Sequence, residues 1–271
     1  MERGQARGPQ VYVERSYEEL CESATGHVAR AAAAAITARA RFVVALSGGS
    51  TPLGVYRRLA SLPYAGSIAW ERWHLFWGDE RWVAPDNAGS NYGMARREMI
   101  DRMPLQREQV HPMPTDVGDP HEAARRYGET LRGCLAVSAE DPPRFDLILL
   151  GIGADGHTAS LFPGSAVLRE RRRWVAAVEI TDDEAGRCSW RLTLTLPVLN
   201  AAREVLFLAA GRNKAAAVAA ALESSASSRA RARERTAESL PAAMVQPREG
   251  KLTWYLDQEA AAGLGASPPP S

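Results

Sequence analysis

Short, wholly apolar runs that stop on glycine or a polar loop, each followed by a stretch with helical spacing, recur along this chain and restrict its fold more than any other feature. FDLILLGIG (145–153) is the strongest of them. It is too short for a buried helix and closes on glycines, as a strand buried on both faces requires. FVVALS (42–47), WHLFWGD (73–79) and REVLFLAA (203–210) follow the same grammar. WVAAVEI (174–180), SWRLTLTL (189–196), LTWYLD (252–257) and the alternating VYVE (11–14) add further strands. Between them, Ser16 with Glu19 three residues on opens an Ala-rich helix to about Arg39. LGVYRRLA (53–60) is amphipathic, Asn91 caps a helix to about Asp101, Pro120 starts one reaching 138, and another runs from Asn213 to Leu222. Strand alternating with helix predicts an α/β fold: a single domain with a mainly parallel twisted sheet flanked by helices. Parallel strands put their C-terminal ends on one edge, where ligands collect. The loops after 42–47, 73–79, 145–151 and 203–210 are therefore expected to converge.

Composition narrows the class. A formal net charge of +1 gives no electrostatic reason for nucleic acid or a membrane surface as partner. No apolar run approaches the ~18 residues of a membrane span. The first ten residues carry no apolar stretch, and the three cysteines, Cys21, Cys134 and Cys188, fit neither a disulfide framework nor a zinc pattern. A cytoplasmic protein without metal, and a monomer or weak dimer, is the expectation. Residues 1–10 and 263–271 read as disordered tails around a domain spanning 11–262, and the Ser/Arg-rich 224–236 as a flexible insertion.

Four loops could carry chemistry. In SGGSTP (47–52), Gly48 and Gly49 allow close approach to the backbone, and Ser50 and Thr51 add hydroxyls beside the free N–H groups of a helix start. This suits a phosphate, although the lysine of a Walker loop is missing. GIGADG (151–156) spells the dinucleotide fingerprint, yet Pro163-Gly164 leaves too little room for the helix that motif needs. The glycines instead aim Asp155 and His157 into the crevice, an imidazole suited to general-base work with an acid to orient it. GDERWVAPDNAGSN (78–91) offers Asp79 for sugar hydroxyls and Arg81 for an anion, with Glu80 expected in a solvated turn. Arg191 breaks an apolar strand pattern. Lys214, with Lys251 one of only two lysines among 33 basic residues, follows the strand 203–210. A phosphate cradle, two or three cations and an Asp/His pair on one edge suit a small sugar phosphate handled by proton transfer, without nucleotide or metal.

The segments LSGGSTP (46–52), WGDERWVAPDNAGSN (77–91), LLGIGADGHTASLFPGS (149–165), RLTLTLPVLN (191–200) and AAGRNKA (209–215) resemble the 6-phosphogluconolactonases of the pentose phosphate pathway, in order and over nearly the whole chain. The resemblance implies a modified Rossmann-like fold of the sugar-phosphate isomerase/deaminase superfamily. It also implies cofactor-free hydrolysis of 6-phospho-D-glucono-1,5-lactone to 6-phospho-D-gluconate. The family's general base falls on His157 and the motif acid on Asp155. Arg81 falls on a substrate-contacting arginine, and Gly48–Thr51, Arg191 and Lys214 on phosphate-binding positions. The rival readings are a glucosamine-6-phosphate deaminase or isomerase, which the DGHTASLFPG continuation disfavours, and a non-catalytic sugar-phosphate sensor, which retention of Asp155 and His157 disfavours.

Overall fold

The apolar runs assemble side by side. In the computed structural model, which describes residues 8–135, 141–182, 187–228 and 240–265, two sheets are present. β1 (Gln10–Glu14), β2 (Phe42–Leu46), β3 (Trp73–Trp77), β5 (Leu147–Leu150), β8 (Glu204–Ala209) and β9 (Lys251–Asp257) form one, in the order β1-β9-β8-β5-β2-β3. Every pairing in it is parallel. β4 (Asp79–Arg81), β6 (Val175–Asp182) and β7 (Arg187–Leu194) form the second, antiparallel, in the order β4-β7-β6. The helices are α1 (Tyr17–Arg39), α2 (Ser50–Leu59), α3 (Tyr64–Ser67), α4 (Asn91–Glu98), α5 (Pro120–Leu135), α6 (Leu196–Leu199), α7 (Ala215–Ser228) and α8 (Pro241–Met244).

β2 and β5 are buried at every residue, which is why their sequences are continuously apolar rather than alternating. α1 begins where expected, with the Ser16 side chain accepting from the Glu19 N–H at 3.2 Å, and ends at Ala40 in the left-handed region. Its buried stripe, Leu20, Cys21, Ala24, Val28, Ala32 and Ala35, follows the 3–4 spacing of one helical face. Trp73 packs edge-on against Phe42 in the next strand, and Phe207 stacks on Trp254 at 4.0 Å between ring centroids. Burial of aromatics of this size contributes on the order of 2–3 kcal/mol each.

Several expectations are corrected. The strand expected over 73–79 divides at Gly78, whose N–H donates to Leu46 O in the parallel sheet while its carbonyl accepts from Leu194 N–H in the second. The glycine is the switch between sheets. The strands expected at 174–180 and 189–196 do not join the parallel sheet but pair with each other, antiparallel. Asn91 does not cap α4: Ser90 does, accepting from the Gly93 N–H at 2.9 Å. α7 continues through Ser228, so residues 224–228 of the expected flexible insertion are helical, and 229–236 lie outside the described residues. Of the two expected tails, residues 1–7 and 266–271 lie outside the described residues. Gln10 belongs to β1, and residues 263–265 form a turn. Among the described residues, no helix is long and apolar enough to cross a membrane.

Candidate active site

The loops after β2, β3, β5 and β8 do converge, at the C-terminal ends of the parallel strands. They enclose a cleft of about 180 Å³. Gly48, Gly49, Ser50, Thr51, Asp79, Arg81, His157, Arg191 and Lys214 all line it. Asp155 does not line it but stands directly behind His157.

The base is held from two sides. Asp155 Oδ1 lies 2.6 Å from His157 Nδ1 and also accepts the His157 backbone N–H at 3.1 Å. A carboxylate can only accept, so Nδ1 carries the hydrogen and Nε2 keeps its lone pair. The ring rests on Phe162, with centroids 4.5 Å apart, and is one-third exposed. Burial works upward on the Asp155 carboxyl, but the His157 backbone N–H, the imidazole's charge and its hydrogen bond outweigh that and hold it below the ordinary range.

The turn itself is dictated by its glycines. Gly156, at φ +82°, donates to Gly153 O, and the Gly153 N–H donates to His157 O at 2.8 Å, closing the loop on itself. No helix starts at this turn, so the structural requirement of the dinucleotide fingerprint is not met.

Opposite lies the start of α2. Gly49, at φ +96°, supplies no side-chain cap, so the first N–H groups of the helix face the cleft with the positive end of its dipole. The Tyr56 hydroxyl fixes this loop by donating to Ser47 O at 2.7 Å and accepting from Ser47 N–H at 2.9 Å. A Cβ on Gly48 would lie 1.9 Å from Asn91 Oδ1, so only glycine lets the loop pass α4.

Arg81 and Arg191 are direct cross-strand partners in the β4–β7 ladder. Like charges placed so repel, and an anion between them offsets the cost. Arg81 donates to Gly89 O, while its buried Nε has no hydrogen-bond partner among the described residues. The Arg191 guanidinium lies 5.9 Å from the Phe162 ring, so one aromatic side chain touches both base and cation. Lys214 sits at the end of the turn Arg212–Lys214, entered through Gly211 at φ +93°.

Asp79 is buried at the floor, accepting from Ser160 Oγ at 2.8 Å and Asn91 Nδ2 at 3.3 Å. Glu80, expected in a solvated turn, is instead only 2 % exposed. It accepts the N–H groups of Asn91 and Tyr92, each at 2.8 Å, and of Arg81 at 2.7 Å. Burial pushes its carboxyl upward, opposed by those hydrogen bonds. Asn91, Ser160 and Phe162 are the participants that sequence reasoning missed. Asn91 read only as a helix start, and nothing local to Ser160 or Phe162 signals a contact with strands far away in sequence. Among the described residues there is no cluster of three or more metal-binding side chains.

The family described as glucosamine-6-phosphate isomerases/6-phosphogluconolactonase matches residues 15–254. A 6-phosphogluconolactonase of Synechocystis is 40 % identical over 94 % of this chain and 98 % of its own length. The human 6-phosphogluconolactonase is 42 % identical over 91 % of this chain and 90 % of its own. Among solved structures, the 6-phosphogluconolactonase from Trypanosoma cruzi superposes with a TM-score of 0.80 at 28 % identity, covering 98 % of this chain and all of that one. With the match running from Arg15 in the turn after β1 to Trp254 in β9, and so through every loop of the cleft, the chain belongs to the glucosamine-6-phosphate isomerase/6-phosphogluconolactonase family.

Proposed function

We propose that the chain hydrolyses 6-phospho-D-glucono-1,5-lactone to 6-phospho-D-gluconate, the lactone-opening step of the oxidative pentose phosphate pathway. The observation that carries this reading is the shared cleft. An imidazole with its Nδ1 on a carboxylate faces the same space as an uncapped helix start and three cations. The phosphate dianion binds the α2 N–H groups with Lys214 and the Arg81/Arg191 pair, anchoring the ligand by the end remote from the reacting carbon. Asp79 holds sugar hydroxyls. His157 Nε2 takes a proton from water as its oxygen bonds to the lactone carbonyl carbon. The tetrahedral intermediate then collapses, the C1–ring oxygen bond breaks, and the imidazolium returns the proton to the departing ring oxygen. Asp155 stabilises the imidazolium between the two transfers. A δ-lactone is already activated, so positioning, one base and charge stabilisation of the intermediate suffice. The three scattered cysteines are consistent with a reducing compartment, and we place the reaction in the cytoplasm.

The test is a coupled assay on freshly generated phosphogluconolactone, corrected for spontaneous opening and run beside glucosamine 6-phosphate. Turnover of the lactone by the wild type, its loss to background in His157→Ala, and retained 6-phosphogluconate binding by that variant are expected. Release of ammonia from glucosamine 6-phosphate without lactone turnover would replace this reading with the deaminase. Ligand binding with neither activity would leave a sensor.

A further inference from the structure

Two of the turns at the cleft are entered through a glycine of positive φ, Gly49 at +96° after β2 and Gly211 at +93° after β8. Glycine is the least restrained hinge a chain can have, so a turn that must hold a ligand there needs a second restraint. The first turn has one in the Tyr56 hydroxyl, which holds the Ser47 backbone. The second turn carries Lys214, and its restraint comes from a strand that ends behind the cleft.

Asp257 closes β9, one residue beyond Leu256, the partner of Ala209 at the end of β8. It is buried and does not line the cleft. Its carboxylate accepts the Gly211 N–H on both oxygens, at 3.0 Å each. Oδ1 also accepts the N–H of the fully buried Ala260 at 2.7 Å. Hydrogen bonds to an ionised acceptor are about twice as strong as neutral ones. The Gly211 carbonyl in turn accepts the Lys214 N–H at 3.0 Å. Gly211 is thus held at its nitrogen by Asp257 and at its carbonyl by Lys214, which leaves carboxylate and lysine two hydrogen bonds apart.

The turn that follows β9, residues 258–265, bears on the same place. A Cβ on Gly263 would lie 2.9 Å from Ala215 O and 3.1 Å from Ala219 Cβ. The backbone of this turn therefore rests directly on the start of α7, whose first residue follows Lys214. Ala260, tied to Asp257, anchors the turn. Lys214 is consequently bracketed on both sides, at Gly211 before it and at Ala215 after it, and Asp257 joins the two supports.

We propose that Asp257 is a positioning residue for phosphate binding: it clips Gly211 to the turn after β9 and so fixes Lys214 in the cleft. The inference rests on the proposed contact between Lys214 and the phosphate. Asp257 touches no substrate and acts through that lysine. His157 stands on a different loop, after β5, so losing the clip weakens anchoring without disturbing the base, and KM rises while kcat holds.

The test is a double-mutant cycle in steady-state kinetics on phosphogluconolactone, with Asp257→Ala, Lys214→Ala and the double variant. Asp257→Ala is expected to raise KM about tenfold with kcat within about twofold of wild type. The double variant is expected to have the KM of Lys214→Ala. Asp257→Asn keeps the shape and one acceptor but sets an amide N–H against the Gly211 N–H. It is expected to raise KM about threefold, and it serves as the probe should Asp257→Ala not fold. A merely structural role would lower kcat, by reducing the folded fraction, and leave KM alone. That result would overturn the proposal, as would a wild-type KM in either Asp257 variant or independent, multiplying effects in the cycle. In each of these cases a raised KM in Lys214→Ala leaves the phosphate contact standing. A wild-type KM in Lys214→Ala would instead remove that contact, and the proposal with it.

Discussion

His157 owes its position to atoms that are missing from its neighbours. A Cβ on Gly153 would lie 2.1 Å from His157 Nδ1 and 2.4 Å from Asp155 Oδ1. Gly153→Ala therefore separates base from acid while meeting only side-chain atoms, which can move aside. Its expected effect is a fall in kcat/KM of about 100-fold, the scale of a displacement near 1 Å at a reacting group. Thermal unfolding should change little, and steady-state kinetics beside a melt checks both. This pair was legible in the sequence because Asp155 and His157 are two residues apart on one turn. Phe162 was not, because its part in the site consists of contacts with His157 and with Arg191, 29 positions further along the chain.

α4 shows what the elements require of single side chains. Its first N–H groups are satisfied by Ser90 Oγ and by the buried Glu80 carboxylate. Glu80→Ala strands those donors and is expected to cost about 3 kcal/mol, measured by urea unfolding. Because Asn91 also carries Asp79 through its side-chain amide, the same variant should raise KM for the lactone. A charged residue after a strand reads as solvated turn; only the sheet switch at Gly78 turns Glu80 inward. His111, beside β3, gives a pH signature. Burial, aided by the His74 charge, lowers its imidazole from the ordinary 6.5 to about 4. The unfolded chain therefore binds a proton in that window that the folded chain does not, so stability is complete above it and falls as pH drops from 6.5 towards 4. His111→Gln should flatten this part of the stability profile, as read from denaturation midpoints across the window.

For the whole molecule, the cleft is an intersection of four distant loops, so a ligand that fills it ties β2, β3, β5 and β8 together. 6-Phosphogluconate at about 100 times its Kd should add ~2.7 kcal/mol to folding stability and raise Tm by several degrees. Gluconate, lacking the phosphate, should raise it far less, and Lys214→Ala should shrink the difference. Differential scanning calorimetry with both ligands separates these outcomes.

Local physics made the elements and most of the site readable from the sequence. A strand covered on both faces must be continuously apolar, a helix start needs its cap, and a backbone that approaches a ligand needs glycine. These constraints act within a few residues, so FVVALS, FDLILLGIG, SGGSTP and the DGH turn carry their meaning in their own composition. The tertiary structure alone decided which strands pair. It set Arg81 against Arg191, sent 174–180 and 189–196 into a separate antiparallel sheet, buried Glu80 and clipped Asp257 to Gly211. Pairing is a property of two segments far apart in sequence, whose free energy comes from burial and hydrogen bonds that neither possesses alone.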